Sequence, residues 1–542
     1  MHYNYPTMSS IVRDIRVKEY LTIKEASRWL SKLMNKKITP SNISYLIQYG
    51  RINKYKENGL VVVKKSELLS YYREFFDKRK IEWKRQLGED LNWALSFDHV
   101  PERERTKHVH RLHPYKGKFI PQLVEYFLDE HTDNFKKQVY FHKGDIVLDP
   151  FVGSGTTLVQ ANELGIHAIG IDISAFNCLI SNVKVTKVSF YNLHKVISTL
   201  TQKLKNFVAQ HKNLLFEEEL NAKLNAFNEQ YFPSPDFKIK VRRGEIDEFE
   251  YGRQKLKDFM PIYRSLVQKY KIKVREENAV SFMERWFTVP VRKELEFMRE
   301  QILKIEDTKI RNVLIVILSR TARSCRATTH SDLATLREPV YEPYYCKKHG
   351  KICKPLFSIL TWWNRYTKDT LKRLAEFDRL RTDTFQIALQ GDARTIDILA
   401  ELEIHHPQLA KLVKEKKIRG IFTSPPYVGL IDYHEQHAYA YELFGFKRMD
   451  ELEIGPLFKG QGAEARREYV IGIAQALLNV KRFLQKDYDI FIVANDKFNL
   501  YPLIAEKAGM QIVQEFKRPV LNRVEKDRGA YAEKIFHLKE KS

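Results

Sequence analysis

The chain has 542 residues, which is too long for a single hydrophobic core and predicts several domains. Its net charge of +24, from 92 Lys and Arg against 68 Asp and Glu, indicates a polyanionic partner such as nucleic acid. Four cysteines are too few for a disulfide-stabilised scaffold, and we expect a cytoplasmic protein because no signal peptide or bilayer-spanning apolar run is evident.

Residues 1–76 are predicted to form a separate N-terminal unit. Helical patterns in EYLTIKEASRWLSKL and TPSNISYLIQYGRI precede a short strand and a third helix in GLVVVKKSELLSYY. This order resembles the small winged helix-turn-helix of excisionase and MerR-type proteins. The resemblance implies that the second helix meets DNA through Ser41, Asn42 and Gln48. A docking module without DNA contact is the alternative.

A connecting helix is predicted over residues 77–105 from IEWKRQLGEDLNWAL, followed by the first half of an α/β domain over residues 106–188. In that half, GDIVL is typical of a buried parallel strand and LVQANELG of the helix after it. Between them, DPFVGSGTT occupies residues 149–157. Gly153 and Gly155 let the backbone approach a ligand closely, and the start of the helix offers unpaired amide N–H groups beside them.

The next strand, HAIGIDIS, carries Asp172 at its carboxyl end. A carboxylate in this position can accept hydrogen bonds from both hydroxyls of a ribose. The order of strand, glycine turn, helix, strand and acid therefore predicts a nucleoside cofactor. A dinucleotide and S-adenosylmethionine both fit this pattern.

About two hundred residues, 189–383, separate this strand from the next, and a segment of this length is predicted to be an inserted domain. It contains the densest basic runs and two aromatic clusters. Trp362 and Trp363, from one of these clusters, are expected in the core of the insertion. Its basic side chains suit contacts with phosphates and base edges, so we interpret the insertion as a target-recognition domain. The candidate DNA-binding residues are Arg242, Arg243, Arg320, Arg323 and Arg326.

Within the insertion, Cys346, His349 and Cys353 lie close together in the sequence and could be soft metal ligands, with Cys325 as a fourth. Their spacing matches no standard zinc finger. Buried cysteines also commonly serve as packing residues. The sequence therefore assigns no metal here and leaves zinc open.

Residues 384–542 are predicted to complete the sheet. Strand patterns recur in TFQIAL, IRGIF, DYDIFIVAND, MQIVQEFK and EKIFHLKE, which bring the number of predicted strands to seven. Because helical segments separate them, the sequence predicts a doubly wound, seven-stranded, Rossmann-like α/β sheet.

TSPPY follows IRGIF directly, which places residues 424–427 at the ligand-binding edge of the sheet. The prolines cannot continue the strand and stiffen the loop. The carbonyl groups of Ser424 and Pro425 stay free as acceptors, and Tyr427 offers a ring on which a base can stack. An amino group conjugated to a base is a poor nucleophile, so its methylation needs both features. TSPPY therefore favours S-adenosylmethionine over a dinucleotide.

Together, DPFVGSGTT and TSPPY resemble the amino-methylating DNA methyltransferases, which modify adenine N6 or cytosine N4 with S-adenosylmethionine. HPYKGKF resembles the family segment that holds the methionine end of the cofactor, and GDAR resembles the loop that meets its adenine. In the family, however, the insertion normally follows the GDAR-type loop, whereas here it precedes it. The resemblance implies that the cofactor is held by Lys118, Phe119, Asp149, Pro150, Phe151, Gly153, Ser154, Gly155, Thr156, Thr157, Asp172, Ile173, Asp392 and Ala393.

The same resemblance implies a last strand antiparallel to its neighbours and a target base flipped out of double-stranded DNA. The catalytic residues it implies are Ser424, Pro425, Pro426 and Tyr427. A cognate restriction endonuclease would then be a partner in a defence system.

Three alternatives concern the target. A serine at the first position of the catalytic motif SPPY, residue 424, resembles the N4-cytosine group more than the N6-adenine group, so cytosine is favoured and adenine is the alternative. None of the four cysteines follows a proline, which argues against cytosine C5 methylation through a thiolate. An RNA methyltransferase or a DNA-binding regulator without activity would be a different class, and the intact glycine, acid and proline motifs argue against the regulator.

Overall fold

The computed structural model describes residues 18–34, 38–88, 90–97, 100–115, 117–332, 336–520 and 530–541. Residues 1–17 of the predicted N-terminal unit and Lys116 of HPYKGKF lie outside this part. Among the described helices, none combines the length and the apolar character that crossing a membrane requires.

The N-terminal unit has a hydrophobic core of its own. Its elements are β1 (Tyr20–Thr22), α1 (Ile23–Leu33), α2 (Pro40–Gln48), β2 (Tyr55–Glu57), β3 (Leu60–Lys64) and α3 (Lys65–Leu87). Each of the first two helices begins at a threonine in a capping box, Thr22 with Glu25 and Thr39 with Asn42. The strands form an antiparallel sheet in the order β1-β3-β2. The predicted order of helix, helix, strand and helix is therefore present.

The predicted boundary at residue 76 falls inside α3, which continues without a break to Leu87. Residues 65–87 contain neither proline nor glycine, so nothing in the sequence interrupts the helix. The helix predicted to connect the two units is the second half of α3. It is followed by a short 3₁₀ helix, Trp93–Ser96, and by α4 (Glu102–Arg105).

The first half of the α/β domain brings the glycine turn to the end of a buried strand. Its elements are α5 (Pro121–Leu128), β4 (Ile146–Asp149), α6 (Thr156–Glu163), β5 (His167–Asp172) and α7 (Ala175–Val185). Gly153 and Gly155 have φ angles of 47° and 74°. A Cβ atom on Gly155 would lie 2.9 Å from the side chain of Ser181, so both the backbone conformation and the packing require glycine there.

The insertion is mainly helical and divides between two hydrophobic cores. Its elements are α8 (Phe190–Ala209), α9 (Asn213–Tyr231), α10 (Asp236–Arg242), α11 (Glu248–Tyr270), α12 (Phe282–Trp286), α13 (Val289–Leu303), α14 (Thr308–Cys325), β6 (Tyr344–Cys346), β7 (Lys351–Cys353) and α15 (Leu360–Asp378). α8, α13, α14 and α15 share one core with α7 of the α/β domain, in which Trp363 is buried and against which Trp362 packs partly buried. α9, α11 and β7 form a second core around Phe216, Phe259 and Ile352. Part of the insertion thus extends the α/β domain, and only the rest has a core of its own.

The remaining elements complete the sheet. They are β8 (Gln386–Gln390), α16 (Ile398–His405), α17 (Pro407–Lys416), β9 (Ile418–Thr423), α18 (Tyr433–Gln436), α19 (Ala438–Phe444), α20 (Ala463–Lys481), β10 (Leu484–Ala494), α21 (Tyr501–Lys507), β11 (Met510–Pro519) and β12 (Ala532–Glu540). The sheet has seven strands in the order β11-β12-β10-β9-β4-β5-β8. β12 lies antiparallel to both of its neighbours, and the other pairs are parallel. The predictions of seven strands and of an antiparallel last strand are confirmed.

The strand order reverses beside β4. From β4 the chain moves outward through β5 and β8, and it returns to the other side of β4 with β9. Side chains of β4 alternate between the two faces, with Ile146 and Leu148 in one core and Val147 in the other. β4 and β9 pair in parallel, so their carboxyl ends lie side by side. Open α/β sheets bind ligands at such a position, where the strand order reverses.

Candidate active site

A cavity lies at the carboxyl ends of β4, β5, β8 and β9. The predicted residues that line it are Lys118, Phe119, Asp149, Pro150, Phe151, Gly153, Ser154, Thr156, Asp172, Ile173, Asp392, Ala393, Ser424 and Pro426. The fold thus brings the glycine turn, the acid after β5, the GDAR loop and TSPPY to one cavity.

Asp149, the last residue of β4, links β4 to the neighbouring strand β9 and to α6. Its buried carboxylate accepts hydrogen bonds from the hydroxyls of Thr157 and Thr423, at 2.7 and 2.6 Å. Burial raises the pKa of Asp149 to about 6. Thr157, predicted to bind the cofactor, therefore holds the carboxylate of Asp149 and is not part of the cavity lining. Thr423 of TSPPY also holds Asp149, a role that the sequence did not reveal.

Asp172 lies at the cavity wall with its carboxylate oriented by the backbone. It accepts hydrogen bonds from the N–H groups of Gly153 and Ser174, at 3.0 and 2.9 Å, and from the amide of Asn177 at 3.2 Å. Burial raises its pKa to about 6, and these hydrogen bonds oppose the rise. The amide of Asn177 also bonds to the second oxygen at 3.2 Å, so each oxygen accepts two hydrogen bonds and a ligand hydroxyl would share an oxygen with one of these donors.

Lys118 and Phe119, from HPYKGKF, form another part of the wall. The ammonium of Lys118 donates a hydrogen bond to the carbonyl of His110 at 2.6 Å, and burial lowers its pKa to about 8. The ring of Phe119 packs edge-on against Phe422 of β9, with 5.4 Å between the ring centroids. The segment is therefore attached to the end of the strand that precedes TSPPY.

The GDAR loop contributes Asp392 and Ala393. Both carboxylate oxygens of Asp392 accept hydrogen bonds from Arg394, with the shortest at 2.6 Å. Arg394 also donates to the carbonyl of Leu452, which lines the cavity. Asp392 is therefore held in place by Arg394, and a ligand would share its oxygens with that guanidinium.

Several further side chains that were not assigned to the site from the sequence also line the cavity, among them Tyr115, Tyr433, His434 and Glu453. The rings of Tyr115 and Tyr433 stack with their centroids 6.0 Å apart. The imidazole of His434 contacts the carboxylate of Glu453, which also accepts the backbone N–H of His434 at 2.9 Å. Tyr115 lies within HPYKGKF and Tyr433 soon after TSPPY, so their sequence positions were a usable signal. Glu453 lies in a loop without a recognisable pattern.

TSPPY divides between the cavity and the core. Ser424 and Pro426 line the cavity, whereas Pro425 is buried. The ring of Tyr427 packs against the core beneath the sheet, and its hydroxyl donates to Glu533 of β12 at 3.0 Å. Burial and the nearby Glu533 raise the pKa of Tyr427 well above its usual value. Tyr427 lies beside the cavity lining rather than in it.

The candidate DNA-binding residues of α2 and α10 lie on adjoining elements. Arg242 and Arg243 are exposed at the end of α10, and Arg242 donates to the carbonyl of Tyr49, directly after α2, at 3.5 Å. Ser41 and Gln48 are exposed on α2. The side-chain oxygen of the exposed Asn42 already accepts the N–H and the hydroxyl of Thr39 in the helix cap, so it is committed within the protein.

Two of the three arginines predicted on α14 and just after it lie inside the protein. Arg320 is 7% exposed, forms a 2.7 Å salt bridge with Asp369 and lies over the ring of Tyr366. Arg326 is 6% exposed and lies over Tyr439. α14 is buried on most of its surface, so its arginines join helices instead of facing solvent. Arg320 and Arg326 are thus buried, and Arg323 is half-buried.

Cys346, His349 and Cys353 lie together, and the structure adds His330 to them. One ligand atom from each of the four residues lies within 4.8 Å of the others. Cys325, considered as a fourth ligand, is instead buried in the core that α14 shares with α7. His330 was missed because it comes from a different segment, before β6.

Comparison with known proteins identifies the family. Residues 19–183 match the family model described as DNA methylase. Type II methyltransferase M.MjaII of Methanocaldococcus jannaschii is 51% identical over 527 residues, which cover 96% of this chain and 97% of that protein. Type II methyltransferase M.MvaI of Kocuria varians is 33% identical over 116 residues, 21% of this chain and 24% of that protein. The chain belongs to the Type II DNA methyltransferases that modify the exocyclic amino group of a base.

Proposed function

We propose that the protein transfers a methyl group from S-adenosylmethionine to N4 of a cytosine within a specific sequence of double-stranded DNA. The observation that carries this proposal is the shared cavity, in which Ser424 and Pro426 face the same space as Gly153 and Asp172. Residues suited to a cofactor and residues suited to an amino group thus meet without an intervening wall. Such an arrangement allows direct transfer by positioning.

Unpartnered polar atoms at the cavity wall support a polar cofactor. Among the described residues, the buried Ser154 Oγ, Asn177 Oδ1 and Glu453 Oε2 lack a hydrogen-bond partner within the protein, and all three residues line the cavity. Buried polar atoms normally have partners, so these atoms fit a ligand with several donors and acceptors. S-adenosylmethionine is such a ligand, and when bound it would supply a methyl group on a positively charged sulfur.

The residues that would hold the cofactor follow from their positions. Asp172 would accept the ribose hydroxyls, Asp392 would accept the adenine amino group beside Arg394, and the wall at Lys118 and Phe119 would enclose the methionine end. The backbone of Gly153, which lines the cavity, would lie against the cofactor. The residue must be glycine, because a side chain there would collide with the ring of Tyr115.

TSPPY would activate the target nitrogen. The hydroxyl of Ser424 and the carbonyl of Pro425 would accept the protons of the amino group and so increase the electron density on nitrogen. These acceptors are preorganised, because Thr423 is fastened to Asp149 and two prolines stiffen the loop. Tyr427, held by Glu533, would provide the ring on which the flipped base stacks.

Cytosine is preferred to adenine because Ser424 occupies the first position of the catalytic motif SPPY, and adenine N6 is the alternative target. DNA would cross the exposed surface shared by α2 and α10, where Ser41, Gln48, Arg242 and Arg243 lie. By likeness to relatives named Type II methyltransferases, we infer a restriction endonuclease with the same target sequence as a partner.

Nucleoside mass spectrometry tests the proposal. We expect N4-methylcytosine in the DNA of cells that express the protein, and none in matched cells that express the Asp172→Ala variant. N6-methyladenine in place of N4-methylcytosine would select the alternative target. Methylated nucleosides confined to RNA, or none in either nucleic acid despite a folded protein that binds S-adenosylmethionine, would contradict the proposal.

A further inference from the structure

We propose that His330, Cys346, His349 and Cys353 bind one zinc ion, which fastens the β6–β7 hairpin to the segment after α14. Their four ligand atoms lie within 4.8 Å of one another. Two thiolates and two imidazoles are the donors of closed, structural zinc sites. The binding of the metal does not depend on the proposed DNA target.

The distances within this Cys/His cluster agree with a tetrahedral site. His349 Nδ1 lies 3.4 Å from Cys353 Sγ, and His330 Nδ1 lies 3.9 Å from Cys346 Sγ. With Zn–S near 2.3 Å and Zn–N near 2.0–2.1 Å, sulfur and nitrogen ligands of one zinc ion are about 3.5 Å apart. The cluster therefore needs only small side-chain adjustments to receive the ion.

The hairpin places three ligands together. Its register pairs Tyr344 with Cys353 and Cys346 with Lys351, so the two cysteines lie diagonally on one face. The turn that follows Cys346 carries His349, whose N–H donates to the carbonyl of Cys346 at 3.1 Å. Three ligands thus come from a short and locally ordered segment.

The fourth ligand comes from outside the hairpin. The hydroxyl of Tyr344 lies 2.7 Å from His330 Nδ1 and 3.0 Å from the backbone nitrogen of His330. The hydroxyl of Tyr344 accepts the backbone N–H of His330, which holds His330 beside the hairpin, and a zinc ion bound at Nδ1 would replace the hydroxyl at that nitrogen. With four protein ligands, the ion would have no open position for a substrate, which indicates a structural role.

The zinc ion would link the two cores of the insertion. The hairpin belongs to the second core, where Ile352 is fully buried and its N–H and carbonyl both bond to the amide of Asn228, at 3.0 and 2.9 Å. His330 instead follows α14, which belongs to the first core. Removal of the ion should therefore loosen the second core relative to the first.

Metal analysis of the full-length protein, purified under reducing conditions without chelator, is the direct test. We expect about one zinc ion per chain in the wild type and its loss in Cys353→Ser and His330→Ala. Cys325→Ser and His405→Ala are the matched controls, because Cys325 lies in another core and His405 is exposed, and both should retain the metal. Loss of zinc in Cys325→Ser with retention in His330→Ala would overturn the assigned ligands.

Cobalt provides a second readout that does not depend on how the variants fold. Apoprotein titrated with Co²⁺ should develop thiolate-to-cobalt charge transfer and the intense visible bands of tetrahedral cobalt, saturating at one equivalent. Trypsin should cut the insertion faster in the apoprotein than in the zinc form. A folded wild type that contains no zinc and gives no tetrahedral cobalt spectrum, or a thiol count showing a Cys346–Cys353 disulfide in the protein as purified, would refute the site.

Discussion

Tyr427 connects the proposed site to the far edge of the sheet, because its hydroxyl bonds to Glu533 and that carboxylate pairs with Arg518 at 3.2 Å. We predict that Tyr427→Ala lowers the single-turnover methylation rate about tenfold to a hundredfold, since stacking a base on an aromatic ring is worth about 1–3 kcal/mol. DNA affinity should change little, because many basic side chains hold the duplex. Tyr427→Phe keeps the ring and should keep most of the activity.

The comparison of these two variants separates the ring from the hydroxyl. If Tyr427→Phe were as inactive as Tyr427→Ala, the bond to Glu533 would be the essential feature. Glu533→Gln, which keeps the shape of the side chain and removes its charge, would then reproduce the loss.

The protonation of Asp172 should control cofactor affinity. Because burial raises its pKa to about 6, the carboxylate is ionised at pH 8 and becomes protonated as the pH falls through 6. The proton occupies an acceptor site that the ribose hydroxyls need, so the affinity for S-adenosylmethionine should fall by up to about tenfold per pH unit below 6. Calorimetric titration between pH 5 and 8 measures this dependence.

Asp172→Asn is the control for this titration. It should bind the cofactor more weakly at pH 8 and show a flatter dependence between pH 5 and 7. Asp149, whose pKa is also about 6, is present in both proteins and accounts for any slope that they share. Identical pH profiles in the two proteins would remove Asp172 from the cofactor site.

Two arginines predicted from the sequence to bind DNA should behave differently. Arg243→Ala removes an exposed charge and should weaken DNA binding while reducing the slope of log affinity against log salt by about 1. Arg320→Ala breaks a buried pair with Asp369, which keeps its 2.9 Å bond to Arg373, and should lower the free energy of unfolding by about 1–3 kcal/mol. DNA titrations at several salt concentrations and chemical denaturation distinguish the two effects. The reverse pattern would place Arg320 at the DNA surface.

Among the elements, the N-terminal unit is the most separable. The residues of its core lie between Leu21 and Tyr72, so deletion of residues 1–76 removes that core completely. We predict unchanged affinity for S-adenosylmethionine and weaker binding of DNA, measured by calorimetry and by band shift at fixed salt. The full-length double variant Ser41→Ala and Gln48→Ala should reproduce part of the loss. Unchanged DNA affinity in the truncated protein would identify the unit as a docking module.

Elements defined by local patterns could be predicted from the sequence, and those defined by tertiary packing could not. The glycine turn, Asp172 and TSPPY each follow a short apolar strand, so their place at one sheet edge followed from the alternation of strands and helices. The boundary predicted at residue 76 lies inside a continuous helix, because a change of neighbouring unit leaves no mark on the sequence of such a helix. His330 and Glu453 reach their clusters through folding alone, and no spacing in the sequence indicates them.

At the scale of the whole molecule, the sheet was predicted but the division of the insertion was not. An amphipathic helix shows which of its faces is buried, yet it does not show which core that face joins. α8 and α9 follow one another in the sequence and lie in different cores. The arginines of α14 likewise predicted a DNA-facing surface, whereas most of this helix is buried.

The insertion separates the two halves of the sheet in the sequence, and this separation determines when the site can form. Asp149 bonds to Thr423 across 274 residues, and the paired residues of β4 and β9 are 273 positions apart. Closing so long a loop carries a large entropic cost, and pairing of this kind is slow. During synthesis, the N-terminal unit and the helices of the insertion can fold as they emerge, whereas the cavity must wait for β9. A ribosome-bound chain would therefore hold no assembled methyltransferase site until β9 has emerged, and the capacity to modify DNA would arrive only after that point.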